Sequence, residues 1–172
     1  MINIGNTVFD IIKNPKMTIY FYKASDPYGC FSNFSAHGIE IEGVFWATVE
    51  HYYQAQKFVG SVDEYIIPII HAANTPEIAA ALGRNCDRSL RSDWDRVKIQ
   101  VMQKAVLQKF LSHTDIRKIL FDTGTQTLME DSPCDYFWGC GTDKSGQNHL
   151  GKILMDVRTK LRNSYSQQTV SV

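Results

Sequence analysis

The chain has 172 residues, 44% of them apolar, and its 18 basic and 18 acidic side chains cancel. That length suits one domain with a core of its own, with no need of a staple to fold. A neutral chain lacks the basic face that non-specific binding to long nucleic acid requires, but it is compatible with one nucleotide or a small phosphorylated molecule.

The four cysteines, Cys30, Cys86, Cys134 and Cys140, form no C-x-x-C pair, and the five histidines are scattered. They spell no zinc site, so neither a metal nor another cofactor is expected. No stretch approaches the roughly 20 apolar residues of a membrane span, and the opening "MINIGNTVFDIIKNPKM" lacks a cationic leader. The expectation is a soluble, cytoplasmic protein with free thiols and no contact with membranes.

In chain order, residues 1–17 read as an N-terminal arm ending near Asn14-Pro15. "TIYFY" (18–22) alternates as a strand does, "SDPYG" is turn chemistry, and "GIEIEGVFWA" (38–47) reads as a hairpin around Gly43. Thr48 caps a helix that fades at Gly60, and residues 63–71 form a weaker helical stretch broken near Pro68. In "NTPEIAAALGRN", Thr75 takes the N-cap, Pro76 the first turn and Gly83 the position past the end. Ser92 caps a helix of about five turns with Trp94, Val97, Val101, Ala105 and Leu107 or Phe110 toward a core. Ser112 to Asp115 resembles a capping box opening a further helix to about Phe121. Residues 123–148 form a long irregular segment in which "TLME" is a candidate short strand. The last helix follows from Asn148 with Leu150, Ile153, Leu154, Val157 and Leu161 on one face, and residues 163–172 read as a disordered tail. The expected fold is α+β: a mainly helical single domain over residues 18–162 with a small antiparallel sheet.

Within "TVEHYYQAQKF" (48–58), steps of four and three align Glu50, Gln54 and Lys57 in one stripe beside Tyr52 and Tyr53. Glu50 lies in the first turn, where the helix dipole favours the carboxylate and works against a raised pKa. It serves either as a helix-stabilising acid or as a base or charge stabiliser. Lys57 is either a surface lysine laying its stem along the protein or, if buried, a neutral amine nucleophile. In "DYFWGCGTDKSGQNHLG", Gly139, Gly141 and Gly146 lead to Asn148 at a helix start. That is either a tight turn and cap, or a phosphate site built on free amides. Trp94 and Trp138 suit core packing or stacking on a flat heterocycle. Arg84, Arg88 and Arg91 form a solvated connection or a second phosphate contact.

Taken together, "FYKASDPYGCFSNFSAHGIEIEGVFWATVEHYYQAQKF", "GR", "RSDWDRVKIQVMQKAVLQKF", the spaced "L.E.SP.D.FWG.G" and "GQNHLGKILMDVRTKL" resemble the YbiA-like, or NADAR, family in order and spacing over about residues 18–162. The resemblance implies an N-glycosidase. Some members resemble the enzyme that cleaves phosphoribosylated pyrimidine intermediates of riboflavin synthesis, and others remove ADP-ribose from the amino group of guanine. It makes Glu50 the leading catalytic residue, with Lys57 second and Asp135 beside them. It places Asn33, Phe34, Trp94, Trp138 and the glycine turn with Gly139 and Gly141 at the substrate; Tyr53, Gln54, Arg84 and Asn148 are the further substrate-binding candidates, and Cys134 and Cys140, small departures from the family pattern, are expected near the pocket. The expected partner is therefore a small phosphorylated riboside or ADP-ribosylated guanine. A module that binds ADP-ribose or a nucleotide without cleaving it is the alternative.

Overall fold

A computed structural model describes residues 17–170, so the expected N-terminal arm lies almost wholly outside the described residues. Strand β1 (Thr18–Phe21) is followed by a 3-10 turn at Gly29–Phe31, then β2 (Ile39–Ile41) and β3 (Val44–Trp46). Helices α1 (Val49–Gln56), α2 (Ile67–His71), α3 (Pro76–Gly83), α4 (Trp94–Ser112) and α5 (Thr114–Asp122) come next, then β4 (Thr127–Glu130) and α6 (His149–Val170). The architecture is α+β and mainly helical, but the described residues hold two small sheets. β2 and β3 form the expected antiparallel hairpin, with Ile39 opposite Trp46. Its turn places Glu42 and Gly43 both at positive φ, 55° and 76°, which matches the right-handed twist of the flanking strands.

The second sheet pairs β1 with β4 in parallel, Thr18 opposite Thr127 and Phe21 opposite Glu130. Parallel strands need a long crossover, and the whole helical middle of the chain supplies it. Both strands therefore finish at the same edge, and the segments after them, from Tyr22 and from Asp131, leave side by side. Asp131 N–H still donates to Phe21 C=O at 2.8 Å beyond the ladder.

The core runs from Ile19 and Phe21 through Phe31, Val49, Phe58, Met102 and Phe110 to Leu128, Leu150, Leu154 and Leu161. On α4, Trp94, Ala105 and Phe110 are buried as the spacing predicts, whereas Val97, Val101 and Leu107 are only partly so. Thr48 and Thr75 cap their helices through side-chain oxygens. Ser92 and Ser112 do not. The α4 N-cap position belongs to Asp93, whose carboxylate pairs with Arg91 instead of the helix amides, and Ser112 is still inside α4. Pro68 sits in the first turn of α2, where it starts a helix instead of breaking one.

The stretch expected to be disordered from residue 163 is helical to Val170. It holds neither glycine nor proline to stop the helix. Tyr165 meets Phe121 edge-on with centroids 6.2 Å apart, Arg117 lies 4.9 Å over the same tyrosine ring, and Arg162 donates to Gly124 C=O at 2.9 Å. These contacts fasten the final turns to α5.

Lys109 on α4 is 1% exposed. Its ammonium nitrogen donates to Ser32 C=O at 2.9 Å and Ser35 Oγ at 2.5 Å, fixing the loop that carries Asn33. Burial pulls its pKa from 10.5 down to about 7. The unfolded chain therefore binds a proton that the folded chain has released between those two values, so stability from this group rises with pH across that window and is flat below it. Urea titrations between about pH 7 and 10 should show the wild type gaining stability relative to Lys109→Met as pH rises. A constant difference would mean that Lys109 keeps an ordinary pKa.

Candidate active site

The segments leaving β1 and β4 meet α1 and the end of α3 around a cavity of about 940 Å³, within the size range of small-molecule sites. Its floor is the α1 stripe. Glu50, 3% exposed, is held from both ends: its backbone N–H donates to Asn33 C=O at 3.1 Å, and its Oε1 accepts from Gln54 Nε2 at 2.6 Å. Arg84, largely exposed, brings a guanidinium nitrogen to 3.8 Å of the same oxygen. Burial pushes the Glu50 pKa up, against the opposing pull of the Gln54 hydrogen bond, Arg84 and Lys57. That reverses the expectation from the helix dipole. A first-turn position favours the anion by at most about 2 kcal/mol, and loss of hydration outweighs it.

Lys57 follows at the α1 C-cap, half-buried, with Nζ donating to Gly83 C=O at 3.0 Å. Burial lowers its pKa to about 8, Glu50 opposing the shift. Roughly one amine in ten is then unprotonated at pH 7, some three hundred times the fraction for an unperturbed lysine. Gly83 is glycine for a local reason: a Cβ there would collide with the Gln54 side chain. Its absence lets α3 close on the stripe.

Tyr53, Asn33 and Phe34 also line the cavity, as do Trp138 and Asp135. Asp135 does more than face the cavity. Its Oδ1 accepts from the backbone N–H groups of Phe137 and Trp138 at 2.8 and 2.7 Å, so the carboxylate sets the turn that presents the indole. Trp138 meets Tyr53 edge-on, centroids 5.4 Å apart.

Four expected ligand contacts are not part of the cavity wall. Trp94 packs behind Tyr53 at 5.1 Å and belongs to the core. Gly139 is buried against the carbonyls of Asp135 and Glu130. Gly141 has φ +69° and packs against Tyr136. Asn148 is occupied in holding the fold together: Oδ1 accepts from Glu130 N–H at 3.0 Å and Nδ2 donates to Leu128 C=O at 2.9 Å. The amides expected to face a phosphate are also taken. Those of Gln147, Asn148, His149 and Leu150 donate to the carbonyls of Tyr136, Gly139, Phe137 and Trp138. An anion would have to displace these bonds, so the glycine segment is a clamp and not a phosphate site. Arg88 and Arg91 are likewise committed, to Leu82 C=O and Asp93. Of the two cysteines, exposed Cys134 lines the cavity, while buried Cys140 is not among its lining residues.

Sequence reasoning missed Glu130, which reaches the cavity from the end of β4. Burial, helped by Asp135 and Glu50, pushes its pKa to about 8, and its Oε2 has no hydrogen-bond partner. The signal was present in "TLME": a period of two puts Glu130 on the same face as buried Leu128. Tyr22, Lys23 and Ser25, which follow β1 into the cavity wall, were also missed; nothing in a turn sequence marks them. Among the described residues, no group of three or more histidine, cysteine or acidic side chains is placed to hold a metal ion, and no helix is long and apolar enough to cross a membrane.

The clamp reading of the glycines makes a checkable claim. Gly141→Ala should cost about 1–2 kcal/mol of stability, the usual penalty for a side chain in the left-handed region. It should also reduce binding of phosphorylated and dephosphorylated cavity ligands by the same factor. Selective loss of the phosphorylated ligand would restore the anion site.

Comparison with known proteins identifies the family and the fold. The NADAR domain model matches residues 20–162. N-glycosidase Npun_R5314 of Nostoc punctiforme is 67% identical over 150 residues, covering 87% of this chain and 96% of that protein. The maize chloroplastic riboflavin biosynthesis protein PYRR is 41% identical over 155 residues, which cover 83% of this chain and 25% of the maize protein. The NMR structure of the E. coli protein YbiA superposes with a TM-score of 0.80 at 41% identity, covering 87% of this chain and 88% of that one. The chain belongs to the NADAR domain family.

Proposed function

We propose that this N-glycosidase hydrolyses the C1–N bond between a 5′-phosphorylated ribose and an exocyclic amine of a planar base, a ribosylamino-pyrimidine of the riboflavin type being the preferred substrate. The observation that carries the reading is the stripe itself: a buried carboxylate and an amine of lowered pKa lie on one wall of a cavity large enough for a nucleotide. The maize relative's name supports the pyrimidine choice. ADP-ribose on the amino group of guanine offers the same linkage and is the second substrate class. The free state of all four cysteines supports a reducing, cytoplasmic setting.

The base lies against Trp138, where stacking contributes about 1–3 kcal/mol. With the glycine segment closed to anions, the phosphate turns to the exposed cations that line the cavity, Arg84 and Lys23. A ribosylamine opens its sugar ring to an imine. The neutral amine of Lys57 adds to C1, giving up a proton to Glu50. The base amine leaves and a lysine imine remains, which water then hydrolyses with Glu50 again moving the proton. A direct route through an oxocarbenium-like ion needs Glu50 but not Lys57.

Incubation with the ribosylamino-pyrimidine phosphate, and separately with ADP-ribosylated guanine, should release free base, followed by chromatography. A protein that binds either ligand without release is a binding module. Glu50→Gln keeps shape and removes charge, and turnover should fall by about 10²–10⁴-fold with little change in binding. Lys57→Arg should abolish turnover because guanidinium does not act as a neutral amine. Borohydride added during turnover should label wild-type Lys57. An active arginine variant together with no label assigns the reaction to the direct route.

A further inference from the structure

Glu130 is a carboxyl group on the cavity wall, driven up in pKa by burial, that the mechanism above leaves without a task. It ends β4, opposite Phe21 of β1. Its backbone is fixed on both sides, N–H to Asn148 Oδ1 at 3.0 Å and C=O to Cys140 N–H at 2.9 Å. The side chain is thus placed by a strand and a clamp, not by a mobile loop. Its Oε2 is buried without a hydrogen-bond partner. An ionised carboxylate in that position would leave a charge uncompensated, whereas a protonated one carries a donor for a ligand to accept.

We infer that Glu130 is the general acid of the reaction, protonating the exocyclic nitrogen of the departing base, while Glu50 across the cavity works as the base. This assignment rests on the glycosidase reading of the same site.

The surroundings of the two acids divide the roles. Glu50 receives the Gln54 amide at 2.6 Å and faces Arg84 at 3.8 Å, and Lys57 adds a further favourable charge. Glu130 is pushed up to about 8 by burial and by the negative charges of Asp135 and Glu50, with Arg84 alone opposing. Other elements packed on β4 bring no countercharge: α6 meets it through Asn148 and Gly151, and β1 pairs Phe21 with it. Lys23, in the segment after β1, lines the same cavity but is exposed. Burial raises both carboxyls, but Glu50 has a hydrogen-bond donor and a cation beside its oxygen while Glu130 Oε2 has no partner, which suits the first to the anionic role and the second to the protonated one.

Glu130 gives its proton to the exocyclic nitrogen as the C1–N bond breaks, and the bonding electron pair stays on nitrogen. The nucleophile that has bonded to C1 surrenders a proton to Glu50. Water enters C1 in the hydrolytic half, and the proton held by Glu50 returns to Glu130 through solvent. One water is consumed, and a free amine and a free sugar result.

Glu130→Gln tests this with the ribosylamino-pyrimidine phosphate as substrate. The wild type should lose kcat as pH rises past about 8; the variant should lose kcat by about 10²-fold or more, change KM by less than about threefold, and lack that alkaline fall. A variant within about threefold of wild-type kcat, or one that keeps the same alkaline fall, overturns the assignment. If Glu130→Gln does not fold, the wild type still decides: a kcat that stays level or climbs well above that pH excludes a protonated Glu130 from the slow step. A wild type inactive on every glycosylamine overturns the glycosidase reading and this assignment with it. An active wild type with an unaffected variant overturns this assignment alone.

Discussion

A carboxylate and an amine, both drawn out of water along one face of α1, form the interaction on which the cavity depends. Burial works against the charge of each; Glu50 opposes that effect at Lys57, and Gln54, Arg84 and then Lys57 oppose it at Glu50. Neither is fully compensated. Glu50 has one short hydrogen bond and a guanidinium at 3.8 Å, and Lys57 donates one hydrogen bond, to a backbone carbonyl. Gln54 stands between them and commits its amide nitrogen to Glu50, which leaves its own Oε1 without a partner. A pair arranged for stability would be saturated with hydrogen bonds. This one is left short of them, which is the condition under which protons move readily at neutral pH.

The opposite wall is held by parallel pairing and by the start of α6. Because β1 and β4 run the same way, their carboxyl ends open on one edge, where open α/β sheets also place their ligands. The segment after β4 is then locked down. Four successive amides at the head of α6 bond to the carbonyls of residues 136–139, so the positive end of that helix is spent on the loop carrying Asp135 and Trp138. Asp135 tightens the same turn from within. The indole thus stands on backbone fixed from two directions, which suits it to hold a flat base in one orientation.

Local chemistry was legible in the sequence wherever a single short-range rule governed it. Thr48, Thr75 with Pro76, the Glu42–Gly43 turn and the apolar face of α6 behave as their spacing predicts. The rules failed where another partner competed. Asp93 takes the α4 N-cap position and pairs with neighbouring Arg91, and contacts of Tyr165 with Phe121 and of Arg162 with Gly124 accompany helix through a polar tail. Gly139, Gly141 and Asn148 look like an anion site in sequence because glycines before a helix leave amides free. Only the fold reveals that neighbouring carbonyls reach those amides first. Trp94 is similar: its character suits a ligand, but α4 turns it inward against Tyr53. The α1 stripe was visible because helical spacing fixed it. Glu130 was overlooked because its role depends on which strand β4 pairs with, and two four-residue strands over a hundred residues apart carry no pairing signal.

Arg84 links the two walls electrostatically. It lowers the proton affinity of Glu50, Glu130 and Lys57 together, and its side chain remains 63% exposed, free to meet an incoming anion. In the proposed reaction, a substrate phosphate paired with Arg84 would cancel part of that field. Glu130 would then hold its proton more firmly as the acid, and Lys57 would hold its own more firmly against becoming the neutral nucleophile. The same substrate charge would thus favour departure of the base and oppose formation of the nucleophile. Glu50, on the same face of α1 as Lys57 and raised in proton affinity by burial, is the acceptor the stripe offers for the proton leaving the amine.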